Sequence, residues 1–137
     1  MLTATGLIGV MLGGAVGAML RLWVGNAVTR RAGTRFPWGT LVVNLSAAFL
    51  LGVAFGVWQA LEMSLDSLGW EVAAVGLLGG YSTVSSLSLQ TLTLWQQTRR
   101  QAAIGYLLIS ATGGIAVAVL GYLTGYETSD ALAQALG

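Results

Sequence analysis

The chain has 137 residues, of which 55% are hydrophobic and only 8% are charged, and its mean hydropathy is +0.78. An average soluble domain carries about 25% charged residues, so this chain has too few to cover a surface that faces water. It contains no cysteine and no histidine, and all six of its basic residues are arginines. These counts exclude a disulfide scaffold, a Cys/His metal site and histidine-dependent catalysis, and a net charge of +1 provides no field for binding nucleic acid. The composition favours an all-α integral membrane protein that is not an enzyme.

Charged residues divide the sequence into four apolar stretches, each close to the ~20 residues that a membrane-spanning helix needs. The predicted spans are residues 7–28, 39–61, 68–95 and 102–126. Together they form a single four-helix transmembrane domain over residues 1–137. A soluble helical bundle is the alternative, but no span has the polar outer stripe that such helices keep. A cleaved signal peptide is disfavoured, because no basic segment precedes the first apolar stretch.

Small residues recur at multiples of four positions in three of the predicted spans, with Arg21 completing the series in the first. The sets are Gly9, Gly13, Gly17 and Gly25 in the first span, Ala48, Gly52 and Gly56 in the second, and Gly121 and Gly125 in the fourth. Such seams let the backbones of neighbouring membrane helices approach closely. We therefore predict tight helix–helix contacts along these faces.

A few polar side chains fall inside the apolar stretches. Asn44 lies in the middle of the second span, one turn after Thr40 on the same face. Its carboxamide either forms a helix–helix hydrogen bond or lines a pore. Tyr106 and Ser110 share a face of the fourth span. Arg21 is the only basic residue inside a span, and it either extends to the membrane interface or guards an anion vestibule.

The third span contains the densest polar motif, GGYSTVSSLS, from Gly79 to Ser88. Glycines weaken a helix, and serine and threonine side chains compete for backbone carbonyls. A break inside the membrane is tolerated only where protein or an ion satisfies the freed groups. The motif therefore indicates either an ion or substrate site at a broken helix, as in many transporters, or a kink that serves packing.

The charges outside the spans are strongly biased. If the spans alternate in direction, the loops after the first and third spans share one side, which carries Arg30, Arg31, Arg35, Arg99 and Arg100. The other side carries all five acids, which are Glu62, Asp66, Glu71, Glu127 and Asp130. Since positive loops stay cytoplasmic, we predict that both termini lie outside the bacterial inner membrane.

The sequence resembles the small bacterial fluoride channels of the Fluc (CrcB) family in its four-span layout and in three motifs. These are GGAVGAMLR from Gly13 to Arg21, GTLVVN from Gly39 to Asn44, and GGYSTVSSLSLQ from Gly79 to Gln90. The resemblance implies passive fluoride export, which protects the cell from fluoride. It also implies an antiparallel dimer, in which two narrow anion pores flank a structural sodium ion.

The resemblance further implies roles for individual residues. The third helix would be broken in mid-membrane, and the backbone carbonyls of Gly79 and Ser82 would hold the sodium ion. The anion pathway would be lined by Asn44, Ser85, Ser86, Tyr106 and Ser110, with Arg21 at its vestibule and Thr40 beside Asn44. Fluoride is small and tightly hydrated, so neutral hydroxyl and amide donors suit its passage.

The chain departs from the family pattern at three positions. Val84 and Leu87 replace two phenylalanines whose ring edges face the permeating ion, and Gln90 replaces a common glutamate. An aliphatic side chain has no positive ring edge to offer an anion.

The missing phenylalanines and the fixed orientation that the arginines imply together predict that this chain is one half of a heterodimeric fluoride channel. The oppositely oriented partner would carry the phenylalanines. A non-conducting structural or regulatory subunit is the alternative. A small proton-coupled multidrug exporter is disfavoured, because it needs a carboxylate within the membrane.

Overall fold

The computed structural model describes residues 4–136, which are helical apart from short connectors and contain no strand. The elements are α1 (Ala4–Ala32), α2 (Trp38–Ala60), α3 (Leu68–Trp70), a π-helical segment (Glu71–Leu78), α4 (Gly79–Tyr81), α5 (Val84–Gln96) and α6 (Arg100–Leu136). We call α3, the π-helical segment, α4 and α5 together the third span. Within the described residues, four helical stretches are long and apolar enough to cross a membrane, which confirms the predicted number of spans.

The helix ends follow local chemistry. Gly33 terminates α1 by adopting a φ of +83°, and its N–H bonds to the Thr29 carbonyl at 2.9 Å. This left-handed cap is the conformation that glycine adopts most readily. At the other end of the chain, α6 continues to Leu136, beyond the predicted limit at residue 126. The added turns are rich in alanine and leucine, which favour helix.

Glycines bring α1 against the third span. A Cβ placed on Gly17 would lie 2.8 Å from the Tyr81 nitrogen and closer still to the Leu77 carbonyl oxygen. One placed on Gly13 would lie 2.7 Å from the Val72 carbonyl oxygen, so the contact continues along the π-helical segment. These distances confirm the predicted seam at Gly13 and Gly17, because any side chain there would collide with backbone, whereas a Cβ on Gly25 would meet only the Val43 side chain of α2, at 3.9 Å.

A second seam joins α2 to α6. A Cβ on Gly52 would overlap the Ala118 carbonyl oxygen, and one on Gly56 would lie 2.7 Å from the Tyr126 nitrogen. From the opposite side, a Cβ on Gly121 would overlap the Phe49 carbonyl oxygen. The fold is therefore two tightly packed helix pairs, α1 with the third span and α2 with α6. The two pairs meet where α5 contacts α6 and where α1 contacts α2.

The loops group at two ends of the bundle. The Arg99 guanidinium donates a hydrogen bond to the Arg35 carbonyl, which places the loops after α1 and α5 at the same end. This confirms that the predicted arginine loops lie together, and we call this the basic end. At the opposite end the Trp58 indole N–H donates to the Ser67 hydroxyl at 3.2 Å, and the Trp58 and Trp70 rings lie 5.6 Å apart.

Candidate functional site

Two residues between α4 and α5 leave the helical conformation. Ser82 has ψ of 161°, and Thr83 has φ of −154° and ψ of 118°. Thr83 then caps α5, because its Oγ1 accepts a hydrogen bond from the Ser86 N–H at 3.2 Å. The same Oγ1 lies 3.1 Å from the hydroxyls of both Ser85 and Ser86. The polar motif therefore folds into a cluster of three hydroxyl groups at the start of α5.

Asn44 fastens α2 to this interruption with two hydrogen bonds. Its Nδ2 donates to the Thr83 carbonyl at 2.9 Å, and its Oδ1 accepts from the Thr83 N–H at 2.8 Å. One carboxamide thus satisfies both backbone groups of a residue that is 8% exposed. The predicted helix–helix hydrogen bond of Asn44 is therefore present. The bonds to Thr83 still leave one amide hydrogen of Asn44 for another acceptor.

The interruption also changes the partners of the Gly79 and Ser82 carbonyls. In an uninterrupted helix the Thr83 N–H would bond to the Gly79 carbonyl, but here it donates to Asn44. Ser82 offers its carbonyl to the guanidinium of Arg21, whose Nη1 lies 3.3 Å away. Gly79, Ser82 and Asn44 line one shallow cavity between α2 and the third span. Arg21 is thus tied to backbone at the interruption rather than extended towards the membrane interface.

A polar cleft runs between α1, α2 and α5 from the basic end to the interruption. It consists of two adjoining cavities of about 180 and 310 Å³, which share Thr29, Gly39, Thr40 and Gln90. The inner cavity also reaches Arg21, Thr83 and Ser86, and the outer one reaches Arg35. Such volumes hold several water molecules, since one occupies about 30 Å³ in the liquid. The cleft is therefore wide enough for water and ends at the hydroxyl cluster.

Tyr106 and Ser110 lie on α6 behind this cleft. Tyr106 is fully buried, and its hydroxyl donates to Gln90 Oε1 at 2.9 Å, while its ring meets Phe36 edge-on at 5.5 Å between centroids. One turn further, the Ser110 Oγ is buried, and among the described residues it has no hydrogen-bond partner. A buried hydroxyl without a partner costs about 1–3 kcal/mol. Ser110 is therefore a donor in need of a water or an ion.

Val84 and Leu87, which the resemblance places where the family pattern has phenylalanines, differ in burial. Val84 is 76% exposed, on the open side of α5. Leu87, nearly one turn later, packs against the core cluster that includes Leu41 and Tyr106. The two predicted pathway serines diverge as well, since Ser85 is exposed whereas Ser86 lines the cleft. Successive helix positions are 100° apart, so neighbours in the motif cannot share one face.

The cleft includes residues that no prediction singled out as pathway residues. Thr83, Gln90 and Thr93 line it together with the predicted Ser86, and these four residues recur at steps of three or four. This spacing is the signal for one polar face of a helix, and it could have revealed Gln90 and Thr93. Asn26 and Thr29 on α1 also line the cleft, three positions apart, so the same spacing could have indicated them.

Comparison with known proteins relates this sequence to a known family. A family model described as "CrcB-like protein, Camphor Resistance (CrcB)" matches residues 8–122. A fluoride-specific ion channel FluC from Gloeobacter violaceus is 42% identical over 115 residues, which cover 83% of this chain and 90% of that protein. One from Thermus thermophilus is 41% identical over 116 residues, covering 85% of this chain and 91% of that protein.

A third relative, the fluoride-specific ion channel FluC 2 of Bradyrhizobium diazoefficiens, is 38% identical over 121 residues, covering 87% of this chain and 88% of that protein. These relatives are named as ion channels rather than enzymes. With four helices apolar enough to span a membrane, the chain is a multi-pass membrane protein. The resemblance drawn from the three motifs is confirmed, and the chain belongs to the CrcB family of fluoride-specific ion channels.

Proposed function

We propose that this chain is a subunit of a fluoride-selective channel that lets fluoride leave the cell passively and so protects it from fluoride. The observation that carries the proposal is a cleft, wide enough for water, that ends at the uncharged donors Thr83 and Ser86, with the Ser85 hydroxyl 3.1 Å from that of Thr83. A small, tightly hydrated anion needs short-range replacements for its water, and hydroxyl groups provide them without trapping the ion. In acid surroundings neutral hydrogen fluoride enters and dissociates inside, so a passive path for the anion removes it.

The proposed pathway continues past the cluster along α6. Thr40 lines the cleft on the α2 side, and Asn44 has one amide hydrogen left for an anion. Tyr106 holds Gln90 at the cleft wall, and the Ser110 hydroxyl lacks a partner among the described residues. An anion passing Ser110 would supply the missing acceptor. Arg21, bonded to Ser82, gives the inner cavity a positive charge that draws anions inward.

We further propose that two subunits pair in antiparallel fashion and that the interruption at Ser82 and Thr83 lies in mid-membrane. A structural sodium ion between them would stabilise the pairing by taking carbonyl oxygens as ligands, as hard cations prefer. Gly79 fits this role, because the donor that an uninterrupted helix would give its carbonyl is bonded to Asn44 instead. Ser82 fits less well, since its carbonyl already accepts from the Arg21 guanidinium. The Ser82 carbonyl has a second lone pair for the ion.

The partner in this proposal is a different, oppositely oriented homologue. The five arginines outside the spans would hold the basic end in the cytoplasm of the cell and both termini outside the inner membrane. Val84, 76% exposed, presents an aliphatic side chain where the family pattern has a ring. Because neither Val84 nor Leu87 offers a positive ring edge, the partner would contribute the phenylalanines.

Co-expression tests the pairing. We expect the chain alone, purified and reconstituted in liposomes, to give little fluoride efflux measured with a fluoride electrode. Together with a homologue that has the opposite arginine bias and both phenylalanines, it should give rapid efflux. Full flux from this chain alone would contradict the need for an unlike partner. Absence of flux from every pair, with the dimer formed, would favour the alternative of a non-conducting subunit.

A multidrug-type exporter has less support. Proton exchange needs a carboxylate within the membrane, whereas the five acids are Glu62, Asp66, Glu71, Glu127 and Asp130, all at or beyond the ends of the predicted spans. Of these, Glu71 begins the π-helical segment near Trp58 and Trp70, at the end opposite the arginine loops.

Tyr106→Phe tests the donor network of the pathway. The substitution removes the hydroxyl that holds Gln90 Oε1 and leaves the buried ring in place. Loss of one such bond, about 1 kcal/mol, corresponds to about a fivefold slower fluoride efflux if it orients a group on the pathway. Tyr126→Phe, at the opposite end of α6, is the control and should leave efflux unchanged. Equal efflux for both variants would remove Tyr106 from the pathway.

A further inference from the structure

The charges that line the polar cleft all have one sign. Among the described residues that line its two cavities, the charged ones are Arg21 in the inner cavity and Arg35 in the outer one. Gln90, where the family commonly has a glutamate, lines both cavities as a neutral amide. A cleft with low-dielectric walls and a single sign of charge raises the local concentration of counter-ions. The cleft thus has one positive charge in each cavity and no acid among its described lining residues, which favours anions over cations.

Arg35 is held at the outer opening by its neighbours. Its carbonyl accepts a hydrogen bond from the Arg99 guanidinium, which ties the loop after α1 to the loop after α5. The next residue, Phe36, packs against Trp38 at 4.7 Å and against Tyr106 at 5.5 Å between ring centroids. The Arg35 backbone is therefore anchored on both sides, while its side chain remains exposed to solvent.

We propose that Arg35 recruits small anions to the outer opening of the cleft and so speeds their entry from the basic end. This inference rests on the proposed function for its physiological ion, fluoride, but the recruitment itself requires only an anion. Recruitment by Arg35 makes the basic end the favoured entrance for anions. At the opposite end, the acids Glu62, Asp66 and Glu71 lie in or next to the loop between α2 and α3 and disfavour anions there. Arg35 is a recruiting residue in this scheme, and Arg21 is the inner charge towards which the anion moves.

The expected size of the effect follows from screened electrostatics. One unit charge about 8–10 Å from an anion in water changes its local concentration by about twofold to threefold at low ionic strength. In about 1 M salt the screening length falls to about 3 Å, and the effect should vanish. Arg31, exposed near the end of α1 and absent from the cleft lining, allows a matched control with the same change of net charge.

A reporter cysteine tests the recruitment without requiring conduction. The chain has no cysteine, so Gln97→Cys places a single thiol on the lining of the outer cavity. The full chain is reconstituted in phosphatidylcholine vesicles, which lack anionic lipid, and labelled with an anionic and with a cationic methanethiosulfonate of similar size. The ratio of the two labelling rates reports the electrostatic potential at the opening.

In low salt we expect R35Q to lower the anionic-to-cationic labelling ratio about fourfold or more, because the two rates move in opposite directions. R31Q should change the ratio by less than half as much, and 1 M salt should remove the difference. Equal ratios for R35Q and R31Q would overturn the proposal. Fluoride efflux at low salt should likewise be about twofold slower for R35Q than for R31Q. A labelling difference without fluoride efflux in any pair of subunits would support recruitment and count against the fluoride function.

Discussion

Gly17→Ala is expected to cause the largest loss of stability of any single methyl addition on α1. The new Cβ would lie 2.8 Å from the Tyr81 nitrogen and nearer still to the Leu77 carbonyl oxygen. Both contacts are with backbone, which cannot rotate away as a side chain can. Overpacking of this kind costs about 3 kcal/mol. It would also push α1 and Arg21 away from Ser82, so the cleft should lose its inner charge.

Thermal unfolding in detergent, followed by circular dichroism, measures this effect. Gly114→Ala on α6 is the control, because a Cβ there meets nothing within 4 Å and alanine favours helix over glycine by about 1 kcal/mol. We expect a clear fall of Tm for Gly17→Ala and an unchanged or higher Tm for Gly114→Ala. Similar Tm values for both variants would mean that α1 does not pack on the third span as described.

Asn44→Ala is expected to abolish fluoride efflux and to destabilise the subunit. The substitution removes both bonds to Thr83, and it leaves a buried N–H and a buried carbonyl without partners. Each unsatisfied group costs about 1–3 kcal/mol, so we expect a loss of about 3 kcal/mol in unfolding free energy. The hydroxyl cluster that Thr83 organises would lose its position at the end of the cleft.

Two further variants separate structure from conduction. Ser46→Ala, half a turn along α2, removes a 2.9 Å contact with the Tyr81 hydroxyl but leaves the Thr83 backbone bonds intact, so efflux should be retained. Asn44→Asp keeps the acceptor for the Thr83 N–H but places an oxygen against the Thr83 carbonyl. We expect Asn44→Asp to lose both efflux and stability. Loss of efflux with full stability would make Asn44 a pathway residue alone, and retained efflux in both Asn44 variants would remove it from the site.

Much of the site could be predicted because its residues stand out against an apolar background. In a span of leucines, valines and glycines, Asn44, Arg21 and the run of hydroxyls from Ser82 to Ser88 each require a partner. Their partners could not be predicted, since hydrogen bonds such as those of Asn44 with Thr83 join residues 39 positions apart. The different positions of Ser85 and Ser86 could not be predicted either, because they depend on the residue at which α5 begins after the interruption.

The π-helical segment and the cleft could not be predicted from local sequence patterns either, because both involve contacts between helices that are far apart in the chain. A π-helical turn inserts one residue into the helical repeat. Here the π-helical segment covers Glu71–Leu78, and its Gly76 packs against Gly13 of α1. The cleft is bounded by α1, α2 and α5, so its lining exists only after three helices assemble. Gln90 is held at the cleft wall because the hydroxyl of Tyr106, on a fourth helix, donates a hydrogen bond to its Oε1.

The sequence by itself determined the number of spans, the small-residue seams and the separation of arginines from acids, because hydrophobic length, residue size and charge are properties of the chain. Tertiary structure alone decided which backbone atoms Asn44 and Arg21 bind and which polar residues meet in one cleft. Those outcomes depend on the distances between helices that are remote in the chain, and the close glycine contacts set those distances.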